Sequence, residues 1–223
     1  ELEFVSMPSN GQGSQKILTS NGNILRYGGK PSSDGKWLAY DDLGNNLYIL
    51  NTATGISKKI STNQEGIIGF KWSPDNKWLA FVQIAANTMA QIKIYNLKTG
   101  NSFDLTTDRA NSFNPRWSPD GKFIYFLSDR SFTSLVSSPW GTRQPEPYFD
   151  ASEKVYHVAL KKGVRSPFRE NDELNVDSKK EDVSTKSDTK NKDEKKKDVS
   201  VYIGQTGIQN RIIEVPIKPG NYH

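Results

Sequence analysis

The 223-residue chain has no cysteine, two histidines and two methionines, and no apolar run long enough to cross a membrane as a helix. Without cysteine there are neither disulfides nor thiolate metal sites, and the compartment stays open between cytosol and periplasm. The histidines are His157, between Tyr156 and Val158 in an apolar run, and His223 at the end of the sequence. Neither falls in a metal-ligand spacing, and a packed or edge position accounts for His157 better than a general base does. No Gly-x-Ser-x-Gly elbow is present, and Gly28-Gly29 precedes a turn instead of a phosphate-binding helix. The sequence therefore offers no catalytic residue, no metal site and no cofactor site. A formal net charge of +5 hints at nucleic acid, but the basic residues are spread over many turns and do not interleave with aromatics, so no nucleic-acid partner is expected.

What the chain has is a phrase repeated three times. Pro31-Ser-Ser-Asp-Gly-Lys-Trp-Leu-Ala-Tyr40, Trp72-Ser-Pro-Asp-Asn-Lys-Trp-Leu-Ala-Phe81 and Trp117-Ser-Pro-Asp-Gly-Lys-Phe-Ile-Tyr-Phe126 place Asp34, Asp75 and Asp120 at spacings of 41 and 45. A period of this size marks an array. Each copy is a turn, built by Pro, Asp and Gly or Asn, followed by a short apolar strand. The first copy departs most, with Pro31 in place of Trp and Ser33 in place of Pro. A second phrase keeps the same phase: Leu47-Tyr-Ile-Leu-Asn-Thr-Ala-Thr-Gly55 matches Ile92-Lys-Ile-Tyr-Asn-Leu-Lys-Thr-Gly100, and residues 56–60 and 102–105 follow as further short strands. Four short strands per repeat make a propeller blade, with coincidental spacing in a β-sandwich as the competing reading. The expected fold is all-β, a partial β-propeller of about three four-stranded blades plus flanking strands. The three aspartates read as turn residues, not as carboxylate sites.

The expected organisation is blades over 1–169, a disordered charged insertion over 170–198, and closing strands of the last blade over 199–223. Residues 171–198 hold 9 acidic and 8 basic side chains and no aromatic, too little apolar surface to offset the entropy of ordering. Two runs, Val155-Tyr-His-Val-Ala-Leu160 and Val199-Ser-Val-Tyr-Ile203, compete for the third strand of the last blade, and Arg211-Ile-Ile-Glu-Val215 follows as a further strand. Three repeats fall short of the 4–8 blades of a closed ring, so an excerpt of a larger propeller is expected. The stretch 128–150, with three prolines, is a candidate contact loop for peptides or neighbouring domains through Trp140, Arg143, Glu146 and Tyr148; the plainer reading is a loop packed over its blade.

Three stretches carry a family resemblance beyond the repeats. They are Ser128-Asp-Arg followed by Ser138-Pro-Trp-Gly-Thr-Arg-Gln-Pro-Glu-Pro-Tyr-Phe149, then Leu160-Lys-Lys-Gly-Val-Arg-Ser-Pro-Phe168, then Gly207-Ile-Gln-Asn-Arg-Ile-Ile-Glu-Val-Pro216 with Gly220-Asn-Tyr222. In this order the chain resembles the propeller region of tricorn-type serine peptidases. One departure is Gly204, where that pattern has Asp after Ile203. The resemblance implies a non-catalytic segment that gates or guides peptides to a Ser/His catalytic core outside this chain. It implies as partners peptides or the remaining domains of the parent protease, allows a homo-oligomeric parent, and fits a cytoplasmic or periplasmic location. No catalytic residue maps onto this sequence. The alternative is a TolB-like propeller serving as a protein-interaction scaffold.

Overall fold

The computed structural model describes residues 3–20, 22–131, 151–170 and 199–222. The short pair β1 (Val5–Ser6) and β2 (Lys16–Ile17) leads into three antiparallel four-stranded sheets that follow chain order. Blade 1 is β3 (Lys30–Pro31), β4 (Trp37–Asp41), β5 (Asn46–Asn51) and β6 (Ser57–Thr62). Blade 2 is β7 (Ile67–Trp72), β8 (Trp78–Ile84), β9 (Ala90–Asn96) and β10 (Ser102–Asp104). Blade 3 is β11 (Ser112–Trp117), β12 (Phe123–Ser128), β13 (Lys154–Ala159) and β14 (Ile212–Glu214). The result is an open, partial propeller, as the repeats predict.

The repeated phrase folds the same way three times. Asp34 Oδ1 accepts from Ser32 Oγ at 2.6 Å and from the Lys36 amide at 3.2 Å. Asp75 repeats this with Ser73 and Lys77, and Asp120 with Ser118 and Lys122. The serine hydroxyl in turn accepts the amide of the first strand residue, Trp37, Trp78 or Phe123, at 2.9–3.0 Å. Position four of the turn needs a left-handed backbone: Gly35, Asn76 and Gly121 sit at φ of 70°, 56° and 69°. The second phrase is equally regular. Asn51 Oδ1 caps the amides of Ala53 and Thr54, Asn96 Oδ1 caps those of Lys98 and Thr99, and Gly55 and Gly100 take positive φ.

The unequal spacings 41 and 45 have one source. Trp37 pairs with Asn51 across the blade 1 hairpin, whereas Trp78 pairs with Asn96 in blade 2. The second hairpin is longer by four residues, two on each strand. An even extension per strand keeps every side chain on its original face, so the hydrophobic pattern survives.

Faces then stack in order. Ala39, Leu47 and Ile49 of blade 1 meet Leu79, Phe81 and Tyr95 of blade 2. Ala80, Val82, Ile92 and Ile94 of blade 2 meet Ile124, Phe126, Tyr156 and Val158 of blade 3. Most of these are fully buried, each contributing about 1.5–3 kcal/mol of transfer free energy for the larger side chains. The far face of blade 1, with Leu38, Tyr40 and Leu50, packs on Leu18 and Phe4 of the leading segment.

The third strand of blade 3 is β13, which pairs with β12 over six residues, and β14 closes the sheet on its other side. Residues 199–203 form no strand, which corrects the expectation of one there. With both edges of β13 occupied, their backbone bonds elsewhere: the Val201 amide donates to Asp75 Oδ2 at 2.9 Å, and Gly204 N donates to Leu160 O. Val199 and Val201 pack over Gly121, so this segment spans the turn phrases of blades 2 and 3.

Candidate functional site

The first strands β3, β7 and β11 converge. Trp72 Nε1 donates to Lys30 O at 2.9 Å, and Trp117 Nε1 donates to Lys71 O at 3.1 Å. Each indole that opens a turn phrase therefore reaches back one blade to the residue before the preceding phrase. Pro31, at the same place in copy one, has no such donor.

That preceding residue is basic in every blade: Lys30, Lys71 and Arg116. The three line a cavity of about 450 Å³ whose wall also holds Ile68, Phe70, Phe113 and Tyr222. The same three line a second cavity on the turn-phrase side, of about 410 Å³. Burial lowers the Lys71 pKa, and the Arg116 and Lys30 charges lower it further. The Arg116 guanidinium donates to Pro115 O, and none of the three cations pairs with a carboxylate among the described residues. Glu153 lines the first cavity, but its side chain accepts the Tyr222 amide at 3.1 Å. Like charges gathered beside a partly apolar wall and left without counter-ions favour an anionic guest. Sequence reasoning missed this triplet because it began each phrase one residue too late; the basic residue just before Pro31, Trp72 and Trp117 was the available signal.

His157 is completely buried, as a packed histidine would be. Its Nε2 lies 2.6 Å from Ser166 Oγ, a distance that suits a nucleophile and its base. The rest of such a machine is missing among the described residues. Nδ1 has no hydrogen-bond partner to orient the ring, and Ser166 is itself buried. Burial lowers the His157 pKa. The contact anchors the segment after β13 against blade 3.

Two of the stretches that carried the family resemblance, at 128–130 and around Arg211, make local packing and hydrogen-bond contacts. In Ser128-Asp129-Arg130, Ser128 Oγ donates to Asn111 O, Asp129 accepts from the Asn111 amide and side chain, and Arg130 lies 5.2 and 5.0 Å from the ring centres of Phe126 and Tyr156. Arg211 gathers the carbonyls of Ala159, Leu160, Gly204 and Thr206. Gly204 has ordinary space around it: an added Cβ would meet only Leu160 O, at 3.8 Å. Asp34, Asp75 and Asp120 hold turns, as expected from sequence. The candidate loop residues Trp140, Arg143, Glu146 and Tyr148, and the charged stretch 171–198, lie outside the described residues.

Among the described residues no group of three His, Cys, Asp or Glu side chains is placed to hold a metal ion, and no helix is long and apolar enough to cross a membrane.

No curated protein matches this chain. Among solved structures, the crystal structure of the tricorn protease superposes with a TM-score of 0.71 at 17% identity, covering 95% of this chain and 19% of that one. TolB from Acinetobacter baumannii gives a TM-score of 0.47 at 22% identity, over 70% of this chain and 34% of that one. The chain thus spans about a fifth of the tricorn protease's length. The family model for the tricorn protease second beta propeller domain matches residues 1–223, and the chain belongs to that family.

Proposed function

We propose that this propeller segment guides peptides to a serine-peptidase domain carried elsewhere on a parent protease, and that it performs no hydrolysis itself. The observation that carries this reading is the basic triplet Lys30, Lys71 and Arg116, one residue per blade at the same repeat position, around cavities on the converging first strands. A peptide carries a terminal carboxylate and acidic side chains, and unpaired cations beside Phe70 and Phe113 attract the charge while the apolar wall takes a neighbouring side chain. Membership in the tricorn propeller family supports a peptidase context. The loop bearing Trp140, Arg143, Glu146 and Tyr148 is proposed to contact the peptide or a neighbouring domain.

Photo-crosslinking tests the path. A peptide of about ten residues with a benzophenone next to its free carboxylate is irradiated with the chain and the adducts are mapped. Adducts on residues 68–71 and 113–116 are expected. Adducts confined to β6 or β10, the far strands of their blades, contradict the reading. The absence of hydrolysis is checked with short fluorogenic peptides; turnover by pure protein overturns it.

A further inference from the structure

His157 occupies a position that the other blades give to isoleucine. Ala39 pairs with Ile49, Ala80 with Ile94, and Tyr125 with His157. In blades 1 and 2 these residues face the next blade, and both isoleucines are buried there. In blade 3 the same face is covered by residues 161–170, a strap that folds back after β13 and leads into the charged stretch.

Two strap residues hold the imidazole. Ser166 Oγ lies 2.6 Å from His157 Nε2, and the Phe168 ring stacks on the imidazole at 5.5 Å. Phe123 lies against the imidazole at 5.4 Å, and Tyr125 meets it edge-on at 5.8 Å. Ser166 also accepts the Phe168 amide through its hydroxyl and the Arg169 amide through its carbonyl, so the histidine contact organises the strap's own turn.

Protonation removes the reason for this arrangement. A neutral imidazole has one polar nitrogen satisfied by Ser166 and one, Nδ1, without a partner among the described residues. The imidazolium would bring a full charge and a second donor into the same apolar site. The groups around it do not compensate. From β12 comes the Tyr125 phenol, whose pKa is raised by burial and by Asp120; from β14 comes Ile213; and the strap contributes the Ser166 hydroxyl and the Phe168 ring. No described carboxylate contacts the ring. The aromatic faces of Phe123 and Phe168 offset only part of the desolvation.

We propose that His157 is a pH-operated latch: neutral, it holds the 161–170 strap over blade 3; protonated, it releases the strap and bares Phe123 and Tyr125. The sign follows from linkage. The closed state disfavours the proton, so closure is complete above the ordinary histidine value of about 6.5 and weakens as pH falls below it. The device is independent of the peptide-guiding role.

Hydrogen exchange on the full chain, corrected for intrinsic rates, tests it between pH 7.5 and 4.5. Protection of the Val164, Phe168 and Arg169 amides should fall about tenfold per pH unit below about 6.5, while β8 and β9 amides hold. His157→Ile, which installs the residue of the other blades, should make strap protection flat with pH. Constant protection in the native chain, or the same slope in His157→Ile, overturns the proposal. Imidazole NMR on the native chain provides a second measurement that needs no variant. His157 should titrate below 6.5 together with loss of strap protection, and titration at or above 6.5 with the strap retained contradicts it.

Discussion

Ser33 and Asn76 bond to each other across the first blade interface. The Ser33 amide donates to Asn76 Oδ1 at 2.9 Å, and Asn76 Nδ2 donates to Ser33 Oγ at 2.9 Å. Both stand where the repeated turn phrase departs from its pattern: Ser33 where Pro74 and Pro119 stand, and Asn76 where Gly35 and Gly121 stand. Restoring either consensus residue alone should weaken the interface, since proline has no amide donor and glycine no amide side chain. Ser33→Pro and Asn76→Gly should each cost about 0.5–1.5 kcal/mol. The double variant should cost less than the two single effects combined, by about 1 kcal/mol, in a denaturation cycle. Strict additivity would mean the pair is not coupled.

The indoles of Trp72 and Trp117 should matter through their N–H as well as their area. Trp117→Phe keeps an aromatic ring but removes the indole donor to Lys71 O, and Trp72→Phe removes the one to Lys30 O. Each should lower the unfolding free energy by about 1–3 kcal/mol, read from urea midpoints at unchanged slope. An effect below a few tenths of a kcal/mol for both would show that these bonds do not tie the blades.

Gly35 and Gly121 have the same φ but different surroundings. An added Cβ at Gly35 meets nothing within 4 Å, whereas at Gly121 it lies 2.8 Å from Val201 Cγ2 and 3.1 Å from Val199 Cγ1. Gly35→Ala should cost only the left-handed backbone, about 1–2 kcal/mol. Gly121→Ala adds the clash, and should be worse by a further ~1 kcal/mol or more and raise hydrogen exchange at Val201. Equal costs would mean that residues 199–203 do not bear on blade 3.

Acid should act in a lower window than the one set by His157. Ser32, ahead of the Lys36 amide and charge, lowers the Asp34 pKa. Ser118 and Lys122 do the same for Asp120, and Lys154 for Glu214. Each is held below its own ordinary carboxylate value, so each contribution is present above that value and is lost as pH falls through the folded one. Urea midpoints should decline below about pH 4.5, and Glu214→Gln should make the decline shallower. An unchanged slope in Glu214→Gln removes that carboxylate from the account.

The blades were legible because both turn phrases state their own geometry: Asp and Ser close one turn, Asn and Gly the other, and the aromatic runs between them alternate in phase. The third strand of blade 3 was not. Val199-Ser-Val-Tyr-Ile203 has a strand's composition, but pairing depends on which edge of β13 is free, and β14 already holds it. His157 was legible as packed, while its serine partner lies nine residues on, in a strap that no periodicity announces. The basic triplet was readable in principle. A lone Lys or Arg just ahead of a turn phrase reads as a solvated charge until three blades bring the positions together.

The most direct test of the central claim is equilibrium binding of a labelled peptide ending in a free carboxylate, measured by anisotropy with the native chain and with Lys30→Gln/Lys71→Gln/Arg116→Gln. The cations at the converging strands should make binding at least about tenfold tighter in the native chain, with an advantage that shrinks as salt rises. Equal affinity for the two proteins, with circular dichroism showing both folded, would contradict a peptide-guiding role for this surface.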